Sequence, residues 1–323
     1  MIVGGGLSGE NDAVWRAIVD ASGGPGARIA VLPQASADPS DSVAWASEQL
    51  RARGGAPFPA LAPSDAPAVA TAGGVYMTGG AQGRLVDALA GGALLAAVRA
   101  RHADGGAVAG SSAGAAVMSA KMFRDPDSPA ALMQAGVRPG VDVSDGFGFL
   151  GGAWLVDQHF LQRDRQHRIF AGLCGLRIKR ALGIDEDTAL VINEGVGAVV
   201  GRSGVVVLTK ARLGQCAPIT QASAEVSILH AGDRVRLDTG ADTPAIADPG
   251  ASGAVATDAP TTFAANAAAV AQGRMTSAET VLVGADGAAW RFTLTSTRKT
   301  RWWRTGSGVS VSGLKITVSA ARP

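Results

Sequence analysis

The sequence predicts an α/β fold: a mostly parallel sheet covered by helices, followed by a small β-rich C-terminal module. Three observations carry this. Over the first 200 or so residues, short apolar runs alternate with helical patterns, the signature of strand–helix–strand units and hence of a parallel sheet. Composition then shifts over 240–262 to Ala, Asp, Gly, Pro and Thr without apolar periodicity, as in an exposed linker. Beyond it, hairpin-like sequence returns.

In chain order, the strand candidates are 29–32, 75–77, 106–109, 154–156, 181–184 and 190–192, with helical stretches at 13–21 and 84–99 lying between some of them. The chain opens as a strand running into the glycine turn Gly4-Gly5-Gly6. Segments 205–208 and 226–237 read as closing strands, turning at Gly232-Asp233. After the linker, 279–294 reads as a hairpin around Asp286-Gly287, and 309–318 supplies further strand. The expected domains are therefore 1–239, catalytic, and 263–323, β-rich, joined by 240–262. Trp290, Trp302 and Trp303 fall in the last of these among Arg298, Lys299, Arg301 and Arg304; such tryptophans most often fill a small core or pack it onto a neighbour.

Composition excludes several function classes. A net charge of +2 with scattered basic residues gives no basic stripe for nucleic acid. Apolar runs such as 93–98 and 205–208 fall far short of the roughly 20 residues that cross a bilayer. Cys174 and Cys216 lie in unlike contexts without a CxxC or Cys/His cluster, which argues against a structural zinc and against a disulfide framework. No metal or cofactor is expected. The abrupt opening fits either a cytoplasmic protein or an exported one whose leader has been removed.

In open α/β sheets, ligands bind beyond the carboxyl ends of the strands. There lies Gly110-Ser111-Ser112-Ala113-Gly114, between the apolar run 107–109 and the helical stretch 115–119. Strand, tight turn and helix are the context of a nucleophile elbow, with helix amides aimed at a developing oxyanion, and Ser112 is the predicted nucleophile. Of the four histidines, His102 ends a helix, His230 reads as a packed strand residue, and His167 lies one or two helical turns beyond His159. His159 directly follows a strand-like run and is the best general base. For the orienting acid, Asp185, Glu186 and Asp187 follow another apolar run, whereas an ordinary α/β-hydrolase order would draw on Asp125, Asp127, Asp142 or Asp145. Spacing alone leaves both sets open. Asp157 and Gln158 beside the base, and the forks of Arg163, Arg165 and Arg168, are candidates for gripping a charged substrate; the plain alternative for the arginines is a solvated helix face.

The segments Gly110 to Met118, Asp157-Gln158-His159-Phe160 with Arg163, Arg165 and Arg168, and Gly183 to Thr188 resemble three co-linear signatures of the cyanophycinase and peptidase E family. The resemblance extends through Gly4-Gly5-Gly6, Leu32 to Ser36 and Met77 to Gln82, over roughly residues 1–240. It implies a flavodoxin-like three-layer α/β fold and a triad of Ser112, His159 and Glu186. It also implies an oxyanion hole from the amides of Gly80 and Ala113, substrate contacts from Gln82 and its neighbours, and a homodimer. The activity it implies is serine-type hydrolysis of isoaspartyl peptides, above all release of β-Asp-Arg from cyanophycin, without metal or cofactor. An isoaspartyl dipeptidase, an esterase and a non-catalytic binding protein are the alternatives. One departure stands out: Ala81 occupies a position where the family usually has Asn or Asp.

Overall fold

The protein is described from a computed structural model, for residues 1–150, 154–237, 246–248, 262–306 and 308–321. Its first half winds five parallel strands with helices on both faces. Strand β1 (Ile2–Val3) leads into helix α1 (Asp12–Ala21), then β2 (Arg28–Leu32), α2 (Pro39–Ala52), β3 (Ala56–Pro59), α3 (Ala66–Ala70) and β4 (Gly74–Met77). Helices α4 (Gln82–Leu89) and α5 (Ala93–Ala103) follow, then β5 (Ala107–Ser111) and the short α6 (Ala113–Ala116). These strands pair in the order β1-β5-β4-β2-β3. Because strand side chains alternate between faces, Ile29 and Val31 pack with α1 and α2 around Trp15, while Ala30 and Leu32 join the core under α3 to α6. Both faces are covered, so the strands read as continuous apolar runs. The single helix expected over 84–99 is two: Gly91, at φ +71°, and Gly92 separate α4 from α5, a break that glycine's backbone freedom favours.

The ribbon β6 (Lys121–Phe123) and β7 (Val143–Asp145), with α7 (Pro129–Ala135) between its strands, precedes β8 (Leu155–Gln158), α8 (Gln166–Leu176) and β9 (Ala181–Ile184). Next come β10 (Thr188–Asn193), β11 (Val196–Gly201), β12 (Val205–Leu213), β13 (Gln221–Leu229), β14 (Arg234–Arg236) and β15 (Ile246–Asp248). Strands β10, β11, β14 and β15 extend the first sheet antiparallel from β1, so only its first half is parallel. Strands β8 and β9 are parallel to each other and start a second sheet, which β12 and β13 continue antiparallel.

Helix α9 (Thr262–Ala271) leads to β16 (Ser277–Val283), β17 (Ala289–Thr295), β18 (Arg301–Thr305) and β19 (Gly308–Ala321). The β16–β17 hairpin turns at Asp286-Gly287 as the sequence predicts, with Gly287 at φ +80°. Strand β19 pairs with β13 from Gln221↔Ser319 to Ile228↔Val311, so the C-terminal strands continue the second sheet edge to edge. Trp290 is buried in the core that Phe160, Phe170 and Val226 also occupy, and its indole N–H donates to the Ile219 carbonyl at 2.9 Å. Most of the linker expected over 240–262 lies outside the described residues; β15 and Thr262 are the exceptions.

The two cysteines correct the sequence expectation. Cys174 and Cys216 form a disulfide, with Cα atoms 5.5 Å apart, that ties α8 to the loop after β12. Their separation of 42 residues concealed a pairing that only the packing of α8 on β12 reveals.

Candidate active site

The carboxyl ends of β5, β8 and β9 bring three sequence-distant side chains together. Ser112 Oγ lies 2.8 Å from His159 Nε2, and His159 Nδ1 lies 2.5 Å from Glu186 Oε1. Neighbouring strand ends also hold the backbone in register: the Ser112 amide donates to the Val3 carbonyl at 3.0 Å and the His159 amide to the Gly4 carbonyl at 2.7 Å.

Ser112 has φ +52° and ψ −104°, a region that non-glycine residues avoid and that recurs at functional sites. The flanking glycines are sterically required. A β-carbon on Gly110 would fall 2.2 Å from the Gly114 carbonyl oxygen, and one on Gly114 would fall 2.5 Å from that of Met77. His159 is also strained, at φ +47°. The opening glycines serve the same centre: a β-carbon on Gly5 would meet His159 Nε2 at 2.3 Å, and one on Gly6 would meet Glu186 Oε2 at 2.8 Å. Residues 4–6 thus read from sequence as a turn, yet what they do is give the imidazole and carboxylate room.

Glu186 is the acid on the imidazole. Of the acids of the alternative order, Asp142 pairs with Arg138 at 2.7 Å, Asp145 with Lys121 and Asp127 with Arg138 at 3.6 Å. Among the other acids at the β9 end, Asp187 accepts the Ser8 amide at 2.7 Å. Asp185 is buried and accepts the amides of Leu161 at 2.9 Å and Gln162 at 3.3 Å, and the Ser203 hydroxyl at 2.5 Å. It therefore anchors the turn just after His159, a role that sequence reasoning missed because nothing in the run of acids marks which is buried. Burial pushes its carboxyl up to about 6.

Burial lowers the His159 imidazole below its ordinary range; the Glu186 hydrogen bond opposes this, and the nearby Arg163 and Arg165 guanidiniums add to it. Neutral imidazole is the form that can accept a serine proton.

Of the expected oxyanion donors, Ala113 directly follows the serine and Gly80 follows Gly79, on which a β-carbon would lie 3.4 Å from Ser112 Cβ. Among the described residues, the amides of Gly80 and Ala113, and of Gly79, have no protein acceptor. Gly80 has φ +137°, and a β-carbon there would collide with the Ala35 carbonyl oxygen at 2.1 Å, so glycine is obligatory in this turn. Gln82 stands two residues on, at the start of α4, half-buried.

The charged residues around His159 bind one another. Asp157 is buried, and both Arg168 and Arg165 are bound to it: Arg168 Nη2 and Nε lie 2.6 and 2.8 Å from its two oxygens, and Arg165 Nη1 lies 3.1 Å from Oδ1. Arg165 also donates to the Gln158 carbonyl at 2.6 Å and side chain at 2.7 Å, while Arg168 stacks over the Phe123 ring. Asp157, Gln158, Arg165 and Arg168 thus form a mutually bonded network that fixes β8 against α8, with Asp157, Gln158 and Arg168 buried and Arg165 partly so. A buried pair of this kind satisfies charges that would otherwise be costly to bury. Arg163 differs: its side chain is 54% exposed, with Nε 3.9 Å from Glu186 Oε1. The other histidines lie apart. His102 packs edge-on against Phe149, His167 packs at a tilt against Phe292, and His230 meets Ser310.

A cavity of about 270 Å³ opens directly onto Ser112 and His159, lined by Leu7, Ser42, Trp45, Tyr76, Thr78 and Gly79 among others.

With this geometry in view, the similarity to known proteins is specific. Residues 1–200 match the description of peptidase family S51. The chain is 32% identical over 183 residues to a cyanophycinase from Trichormus variabilis, covering 54% of this chain and 60% of that protein. It is 36% identical over 137 residues to one from Synechococcus elongatus, covering 42% and 41%. The chain therefore spans about 60% or less of the length of these curated relatives. A crystal structure of a peptidase from an acI-B1 actinobacterium superposes with a TM-score of 0.53 at 23% identity, over 73% of this chain and 95% of that one, which shows a shared fold. The match to the family covers well over half of the chain, and the chain belongs to peptidase family S51.

Proposed function

We propose that this protein is a serine-type exopeptidase acting on β-aspartyl peptides, which releases β-Asp-Arg dipeptides from cyanophycin by cutting the bond between successive aspartyl residues, with Ser112 as nucleophile, His159 as general base and Glu186 as its orienting acid. The observation that carries the proposal is the unbroken chain from Ser112 Oγ through the two ring nitrogens of His159 to Glu186, at 2.8 and 2.5 Å.

In the proposed mechanism, His159 Nε2 takes the Ser112 proton as Oγ attacks the main-chain carbonyl carbon of the aspartyl residue whose side chain carries the arginine. Negative charge moves to the carbonyl oxygen, where the Gly80 and Ala113 amides donate to it; each such donor supplies roughly 3 kcal/mol of transition-state stabilisation. His159 then protonates the departing amine as the C–N bond breaks. It next deprotonates a water that attacks the acyl-enzyme, freeing a carboxylate and regenerating the serine. Glu186 keeps Nδ1 protonated, so that Nε2 faces the serine as an acceptor. Arg163, the exposed guanidinium beside this chain, is positioned to hold a free substrate carboxylate. The peptide is the only partner the mechanism needs; dimerisation is a further expectation from the family.

The test is dipeptide release from purified cyanophycin by the wild type and Ser112→Ala. Release of β-Asp-Arg that falls at least about 10³-fold in the variant supports the proposal. An intact polymer with cleavage of small isoaspartyl dipeptides points to the dipeptidase alternative, and no cleavage of either overturns it.

A further inference from the structure

The outer face of the second sheet carries a groove far from the elbow. Side chains alternate along β13 and β19, so Ala222, Ala224, Ile316 and Val318 enter the core that α8 and α9 cover. Gln221, Ser223, Lys315 and Thr317 point the other way, where with Arg212 of β12 they line a cleft of about 750 Å³. A second hollow of about 360 Å³ shares Arg212, Ser223 and Lys315 with the first and continues it toward Lys210 and Glu225. The first has no acidic lining residue. In the second, Lys210 Nζ holds both oxygens of Glu225 at 3.0 Å. Arg212 and Lys315 are exposed and, among the described residues, make no ion pair and no side-chain hydrogen bond. Two free cations set among hydroxyls and a carboxamide suit a chain that carries carboxylates along its length.

Strand register gives the spacing. Arg212 stands opposite Ser223, and Ser223 opposite Thr317, the second residue after Lys315. With strands about 4.8 Å apart and a rise of about 3.3 Å per residue, the two cations lie roughly 12 Å apart at their α-carbons. One extended chain crossing the sheet meets both. Val205 pairs with Ile184, just before the acids of the β9 end. Arg212, toward the far end of β12, therefore lies about 23 Å from the catalytic rim at the same rise.

We infer that this groove is a second binding site, which holds the cyanophycin chain by its free carboxylates while the chain end occupies the elbow. The inference rests on the proposed polymer activity. In each repeat, an arginine joined through its amine to the aspartyl side chain keeps a free carboxylate near the main chain and a guanidinium several bonds further out. Carboxylates then meet Arg212 and Lys315, the hydroxyls of Ser223 and Thr317 meet main-chain amides, and the guanidiniums extend into water. A chain must exceed about seven extended residues to reach from elbow to groove. The groove thus acts on polymer capture and not on bond breaking.

The experiment measures cyanophycin binding to Ser112→Ala, alone and combined with Arg212→Gln, Lys315→Gln or both. Arg16→Gln, which removes an exposed cation of α1, is the charge-matched control. Each groove substitution is expected to weaken binding about threefold and the pair about tenfold, because exposed ion pairs are individually weak but recur along a polymer. Salt at about 0.5 M should erase the difference. Poly-aspartate, with carboxylates and no guanidinium, is expected to compete for the groove, and polyarginine is not. With Ser112 intact, the double variant should raise KM for the polymer about tenfold and lower by a similar factor the ratio of kcat/KM for polymer to that for a trimer of the β-Asp-Arg repeat. Cooperative melting near the parent Tm shows that the variants are folded. An equal loss in Arg16→Gln would reduce the effect to net charge and overturn the inference. Competition by polyarginine alone would overturn it too, and a shift from dimer to monomer in the double variant would assign the face to a second copy of this chain. Polymer that the wild type cleaves, but whose binding and KM no groove substitution moves, overturns this inference alone. Polymer that is neither cleaved nor bound overturns the proposed activity and this inference together.

Discussion

His159 is held between opposing influences, and their balance sets a pH profile. Burial lowers its affinity for a proton, Glu186 raises it, and Arg163 lowers it. Only neutral imidazole accepts the Ser112 proton, so the acid limb of kcat/KM on an isoaspartyl dipeptide is expected to lie below the ordinary imidazole value of about 6.5. Arg163→Gln removes a cation that opposes protonation, so the limb should move to higher pH, with KM rising if Arg163 also holds a substrate carboxylate. A pH–rate profile of both proteins checks this; an unmoved limb would mean that Arg163 is screened from the imidazole. At this scale the gathering of Ser112, His159 and Glu186 was legible because each lies just past an apolar run, and strand ends gather on one rim. The arginines were not, since the spacing of Arg163, Arg165 and Arg168 is the same whether they face solvent or turn inward onto Asp157. Nor was the burial of Asp185 beside the exposed edge of Glu186, because adjacent acids in a turn look alike until the turn is folded.

At the scale of elements, the departure at Ala81 acquires a second meaning. Ala81 is the N-cap residue of α4, and no side chain caps that helix end. An Asn or Asp here would accept an amide hydrogen bond from the first turn and oppose the positive end of the helix dipole. Ala81→Asp is therefore expected to stabilise the protein by about 0.5–2 kcal/mol, read as a higher Tm or urea midpoint. If the same substitution also alters the ratio of β-Asp-Arg to β-Asp-Leu hydrolysis, the position contacts substrate as well; a stability gain alone would assign it to capping. The central strands were readable from short β-branched and alanine-rich runs, and β9 falls at 181–184 as the sequence predicts. Helix α2 went unread although Asp38 caps it and Pro39 opens it, because its apolar face is interrupted by Ser and Asp and carries weak periodicity.

At the scale of the whole molecule, the question is whether the C-terminal strands are separable from the triad. Composition suggests a division near 239, since the stretch that follows lacks apolar periodicity. Hydrogen bonding and packing tie the two sides together: β19 forms one edge of β13, β13 pairs with β12, and β12 pairs with β9, from whose end Asp185 and Glu186 project. Trp303 donates to Asp233 at 2.8 Å, a second tie between the segments. Cutting the chain after residue 239 would remove the buried Trp290, Phe292, Leu294, Val311, Leu314, Ile316 and Val318 from a core shared with Phe160 and Phe170. At roughly 1.5–3 kcal/mol for each large apolar side chain, that loss is as large as the roughly 5–15 kcal/mol by which a domain is usually stable. It would also expose β13 as a long unpaired edge, which favours aggregation. A chain of residues 1–239 is therefore expected to be insoluble or to lack a cooperative melt, and to be inactive even with Ser112, His159 and Glu186 all present. A soluble, cooperatively melting fragment that still hydrolyses an isoaspartyl dipeptide would instead establish residues 1–239 as an independent catalytic domain, and would make the shared sheet a docking of two folded units.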